Sequence, residues 1–232
     1  RLGSVRAYLT ESKRLGVSAL AVLPLLVLYE GGRLVAHPGI RNGADALLRR
    51  CFDLLGPFGT RIWWGVVGCC AVAAAVTVIR HRPTWRVMAL PLEGLCYGGL
   101  LVPLMMGLAG VMRSVAMASP MADIPLAMGA GIYEEILFRL MLLPLLYVLL
   151  RWTLGFLGGA HKSVALGLAL LLSSAAFASF HHVGGTQEGL VWSVFWFRAM
   201  AGMVLGMLFL ARGFGVAAWT HAGYDIAVVL LR

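Results

Sequence analysis

Residues 124–150 read IPLAMGAGIYEEILFRLMLLPLLYVLL. At about 1.5 Å per residue this stretch is long enough to cross a hydrocarbon core of about 30 Å as a helix. Its only charged residues are Glu134, Glu135 and Arg139. A charge at the centre of a membrane helix costs at least about 2.5 kcal/mol, so three in one span mark the segment as a candidate for chemistry.

The rest of the chain repeats the apolar pattern. Of its 232 residues 60% are hydrophobic and only 12% charged, and the mean hydropathy is +0.87. These values exclude a disordered chain, a secreted disulfide scaffold and an ordinary soluble enzyme. Further apolar runs occupy residues 16–36, 62–79, 87–112, 163–180, 190–211 and 214–231. The expected fold is all-α, a polytopic transmembrane helix bundle of about seven or eight spans, forming a single integral membrane domain over residues 1–232. After the first span, ADALLRRCFDLLG (44–56) brings Leu47, Leu48, Cys51, Phe52 and Leu55 to helical spacing, which predicts a short interfacial amphipathic helix. Gly202 and Gly206 form a GxxxG pair that permits close helix approach.

The formal net charge is +9. In a soluble protein this would raise nucleic acid as a partner. Here Lys13, Arg14, Arg80, Arg82, Arg151 and Arg212 flank apolar runs, as loops do where they anchor against anionic lipid. The charge pattern thus points to the bilayer as partner and not to nucleic acid; a membrane-associated or lipidated protein substrate is expected only from the family resemblance given below. The basic residues slightly favour a cytoplasmic N-terminus. Cys51, Cys69, Cys70 and Cys96 show neither C-x-x-C nor zinc-ligand spacing and read as free thiols. Residues 1–14 are too polar for a signal peptide.

The ionisable residues inside apolar segments gather in the second half: Glu134, Glu135, Arg139, His181, His182, Arg198, His221 and Asp225. Glu30 and Glu93 lie in the first half. Glu135 and Arg139 are four apart, in the order that favours an ion pair on one helix face. Glu134 sits about 100° away and lacks that partner, which suits a general base. A structural ion-pair network is the alternative. In SSAAFASFHH (173–182), Phe177 and His181 share a face, and His182 is expected nearer the interface. In WTHAGYD (219–225), His221 and Asp225 share a face, so the carboxylate can fix the ring's tautomer and orientation, or the pair can serve packing alone. Two chemistries need such a set. One is hydrolysis by a Glu-activated water with His assistance. The other is zinc held by Glu134, His181 and His221, although H-E-x-x-H is absent. A non-enzymatic transporter, chaperone or immunity-type protein would also use intramembrane Glu and His.

Taken in order, E-E-x-x-x-R at 134–139, F-x-x-x-H at 177–181 and H-x-x-x-D at 221–225 resemble the motifs of the CAAX protease and bacteriocin-processing (CPBP, Abi) family. These are intramembrane glutamic endopeptidases related to the type II CAAX prenyl endopeptidase. The resemblance covers residues 124–231, which it marks as a protease core carrying the three motifs. It implies that Glu134 and His181 activate a water, that His221 with Asp225 forms the oxyanion hole, and that Glu135, Arg139 and Phe177 are supporting residues. It also implies that no catalytic metal or other cofactor is required, and that the protein is a multi-pass protein of a bacterial-type cell membrane. The family usually has Asn where this chain has Asp225. An ionised carboxylate cannot donate to an oxyanion, so Asp225 is either protonated or acts by orienting His221.

The heights of these groups raise a geometric question. At about 1.5 Å per residue, Glu134 lies about 25 Å from Arg151, His181 about 28 Å from Lys162, and His221 only about 14 Å from Arg212. The helices must be offset, or the last must begin deeper.

Overall fold

Inside hydrocarbon a backbone has no water to bond, so each apolar run closes its own hydrogen bonds as a helix. The computed structural model describes residues 2–36, 41–81, 85–107, 124–158, 161–183 and 190–231. The expectations for residues 37–40, Arg82 and 108–112 fall outside these residues. The helices are α1 (Leu2–Glu11), α2 (Leu15–Ala36), α3 (Gly43–Asp53), α4 (Gly59–His81), α5 (Trp85–Gly107), α6 (Ile124–Phe156), α7 (Lys162–Val183), α8 (Trp192–Arg212) and α9 (Phe214–Leu230). Six helices are long and apolar enough to cross a membrane among the described residues, and α9 is a shorter apolar one. The protein is an integral, multi-pass, all-α membrane protein.

Helix α9 is the axis of the bundle. Every residue from Phe214 to Gly223 is buried. It packs most extensively on α5 and also touches α2, α6 and α8. Apolar residues such as Ile79, Met88, Trp152 and Phe156 instead face outward, as lipid-facing positions do. Glycines let the backbones meet. A Cβ at Gly98 on α5 would stand 2.7 Å from the Thr220 carbonyl oxygen and 2.8 Å from the Tyr224 nitrogen. The GxxxG expectation holds in the same way between α8 and α7, since a Cβ at Gly202 would meet Phe177 at 3.1 Å and one at Gly206 would meet Leu170 at 2.4 Å.

Because the neighbours of Gly98 are backbone atoms, no rotamer change relieves the overlap. Gly98→Ala is therefore expected to cost about 1–3 kcal/mol and to displace His221, which α9 carries. Thermal unfolding in detergent, read beside activity, checks this.

The turn from α8 into α9 is one residue, Gly213, with φ 91°. Its N–H closes α8 on the Phe209 carbonyl at 2.8 Å, and a Cβ there would strike the Ser12 carbonyl oxygen at 2.8 Å. The positive φ and the tight contact both select glycine. Arg212, expected to flank an apolar run, is buried in the bundle. Its Nε donates to Glu93 Oε1 at 2.6 Å, its Nη2 to Oε2 at 2.8 Å, and its Nη1 to Ser12 Oγ at 2.9 Å. Helix α9 thus starts inside the bundle. Tyr8 on α1 also donates to Glu93. Burial and that hydrogen bond push the Tyr8 phenol up to about 12.

The predicted amphipathic helix is α3. Asn42 caps it, its Oδ1 accepting from the Ala44 N–H at 2.8 Å. Its inward face is Ala44, Asp45 and Leu48, while Leu47, Cys51 and Leu55 are exposed. All four cysteines are free and exposed.

Candidate active site

Helix α6 departs from regular winding where its charges lie. Ala130–Glu134 and Ile136–Leu142 are π-helical, with Glu135 between them. The Leu143 N–H, for example, bonds the Phe138 carbonyl five residues back. Such wide turns are rare and concentrate at functional sites. Here the two glutamates part ways. Glu134 faces a cavity of about 320 Å³, and Glu135 is fully buried behind it.

Glu134, Phe177, His181, His221 and Asp225, drawn from α6, α7 and α9, all line this cavity. Glu135 and Arg139 do not line it. They form the ion pair expected from their spacing, Arg139 Nη1 to Glu135 Oε1 at 3.0 Å. His182 packs its ring beside Phe195 and is not among the lining residues. Glu30 and Glu93 are held elsewhere, by Arg49 and Arg212.

The hydrogen bonds constrain both imidazoles. His181 Nδ1 lies 2.8 Å from the Phe177 carbonyl oxygen, which can only accept, so Nδ1 carries the proton. In the neutral ring Nε2 is then an acceptor, and it faces Glu134 Oε2 at 3.4 Å. The His181 ring also stands edge-on to Phe177, with centroids 4.8 Å apart. His221 Nδ1 lies 2.8 Å from Glu135 Oε1. That turns its Nε2 toward Asp225 Oδ2 at 3.5 Å and Glu134 Oε2 at 3.9 Å. Glu134 Oε2 is buried and has no hydrogen-bond partner among the described residues. The arrangement can therefore bind a small proton donor between acceptors and offer an N–H nearby.

Asn42 and Tyr224 also line the cavity, together with Arg198. Sequence reasoning singled out Arg198 but missed the other two. Asn42 had a legible signal, a capping residue ahead of an acidic first turn; Tyr224 had none beyond its place next to Asp225. Among the described residues, no group of three His, Cys, Asp or Glu side chains is arranged to hold a metal ion.

Residues 116–227 match the family model Rce1-like, described as type II CAAX prenyl endopeptidase Rce1-like. Over this segment, just under half of the chain, the protein is similar to the CAAX protease family. The matched segment carries all three motifs and every cavity-lining residue expected to be catalytic. Neither curated proteins nor solved structures yield a match. The match, together with the apolar helices, supports a CAAX-protease-like membrane endopeptidase in general terms.

Proposed function

We propose that this protein hydrolyses peptide bonds of membrane-associated or lipidated polypeptides through a Glu/His-activated water, with residues 124–231 as its catalytic core. The observation that carries this reading is the convergence of Glu134 Oε2, His181 Nε2 and His221 Nε2 in one cavity within 3.4–3.9 Å. Two acceptors facing each other across 3.4 Å are matched by a water that donates one proton to each. Glu134 takes a proton as the water oxygen attacks the carbonyl carbon, and later returns it to the leaving amine as the C–N bond breaks. His181 orients the water. His221, with Nδ1 bonded to Glu135, presents Nε2–H to the developing oxyanion when the ring is protonated. Asp225 fits an orienting role, since its Oδ2 lies 3.5 Å from that Nε2 and an ionised carboxylate would repel an oxyanion. The remaining lining, including Leu101, Met105, Phe197 and Val228, is apolar and suits a substrate segment entering from lipid.

Comparison of membrane proteins from cells making wild-type or Glu134→Gln protein tests this. An uncut precursor is expected to accumulate with the variant. Identical processing in both would overturn the reading.

A further inference from the structure

The geometry points to Asn42, in the half of the chain outside the family match, as a positioning residue that fixes which oxygen of Glu134 acts as the base. The inference rests on the general-base reading of Glu134 and adds a component from α3, a helix whose sequence carries none of the three motifs.

Asn42 Nδ2 donates to Glu134 Oε1 at 3.1 Å across 92 positions of sequence. The direction of that bond is fixed by chemistry. Asn42 Oδ1 is already occupied by the Ala44 N–H, and a backbone N–H can only donate, so the other end of the amide must be the nitrogen. The contact occupies Oε1 and leaves Oε2 turned toward His181 and His221. Without it the carboxylate could rotate and exchange its two oxygens, and the productive geometry would be populated part of the time.

The amide is itself held. The Asn42 N–H donates to Tyr29 Oη at 3.1 Å, and Tyr29 donates to Asp45 Oδ2 at 2.8 Å. Asp45 is fully buried and bound by Arg49 Nε at 2.6 Å and Arg41 Nη1 at 3.2 Å. Arg49 then reaches Glu30 at 2.8 Å, which also accepts from Tyr133, the neighbour of Glu134, at 3.2 Å. The network pins the N-terminus of α3 to α2 and to the π-helical turn that carries Glu134. So much buried polarity at one helix end exceeds what a cap requires, since capping by Asn alone is worth about 1 kcal/mol.

The two roles of Asn42 separate by substitution. As N-caps, Asn, Asp and Ser are nearly equivalent. As partners of Glu134 they are not: Ser is too short to reach Oε1, and Asp sets a second carboxylate against it. The test measures kcat and KM for an internally quenched farnesylated peptide ending in a CAAX sequence, with the full-length protein in detergent. Asn42→Ser is expected to lower kcat about 10-fold with the thermal midpoint unchanged, and Asn42→Asp about 100-fold with a lowered midpoint, KM staying within about 2-fold in both. Equal kcat for Asn, Ser and Asp at position 42 would show capping alone and overturn the inference. Glu134→Gln is run beside them. If that variant is inactive while the Asn42 variants match wild type, only the positioning role falls. If Glu134→Gln cleaves like wild type, the general-base reading falls first.

Discussion

Arg139→Met is expected to destabilise the protein by about 3–5 kcal/mol, the usual cost of removing one partner of a buried ion pair. Arg139 is 1% exposed and Glu135 is 0% exposed, so neither charge can recruit bulk water when the other is lost. The guanidinium has three roles. It pairs with Glu135, its Nη2 donates to the Gly202 carbonyl at 3.1 Å, and it lies 4.6 Å from the Phe177 ring centroid. Methionine fills the volume and replaces none of these contacts. The loss spreads to chemistry because Glu135 Oε1 also receives His221 Nδ1. The double variant Arg139→Met/Glu135→Gln removes the stranded charge and is expected to recover a large part of the stability while leaving His221 less firmly oriented. Thermal and denaturant unfolding in detergent read the first effect, and kcat reads the second. Unchanged stability in Arg139→Met would contradict the buried-pair account.

What could be read from the sequence was local and periodic. Glu135 with Arg139, Phe177 with His181 and His221 with Asp225 are each one turn apart, and a helix converts that spacing directly into proximity. The apolar runs likewise gave the helices, because length and hydropathy are one-dimensional properties. Contacts between distant segments left no such trace. The Asn42–Glu134 bond spans 92 positions and the Arg212–Glu93 pair 119. Arg212 therefore read as a loop anchor, since a charge at the end of an apolar run looks the same whether it meets a headgroup or a buried carboxylate. The π winding of α6 was equally hidden. So was the close approach of α6 to α9 at Gly131, where a Cβ would fall 2.6–2.8 Å from atoms of Ala218 and Ala222.

The first half of the chain thus completes a site whose motifs all lie in the second half. Helix α5 grips α9 through Gly98 and holds the end of α8, just before α9, through Glu93 and Arg212. Helices α2 and α3 carry the hydrogen bonds that end on Glu134. A polar cluster assembled in hydrocarbon needs every member satisfied or aimed at a substrate. Glu134 Oε2, buried without a hydrogen-bond partner among the described residues and on a residue that lines the cavity, is the oxygen to which we assign the base role.

Glu134→Gln is expected to lower kcat by about 100- to 10,000-fold, the range associated with loss of a positioned general base. The substitution is nearly isosteric. Its carbonyl oxygen can still accept from Asn42, so α3 stays in place, while the amide NH2 points at His181 and His221 and cannot take a proton from water. KM is expected to change little, because binding rests on the apolar lining. His181→Ala removes the second acceptor for the same water and is expected to reduce kcat comparably. If the two residues act on one water, their losses do not add. The double variant Glu134→Gln/His181→Ala should then be about as slow as the slower single variant, with both single variants remaining as stable as wild type. Multiplicative losses in the double variant would mean that Glu134 and His181 serve separate steps, and the shared-water geometry would have to be abandoned.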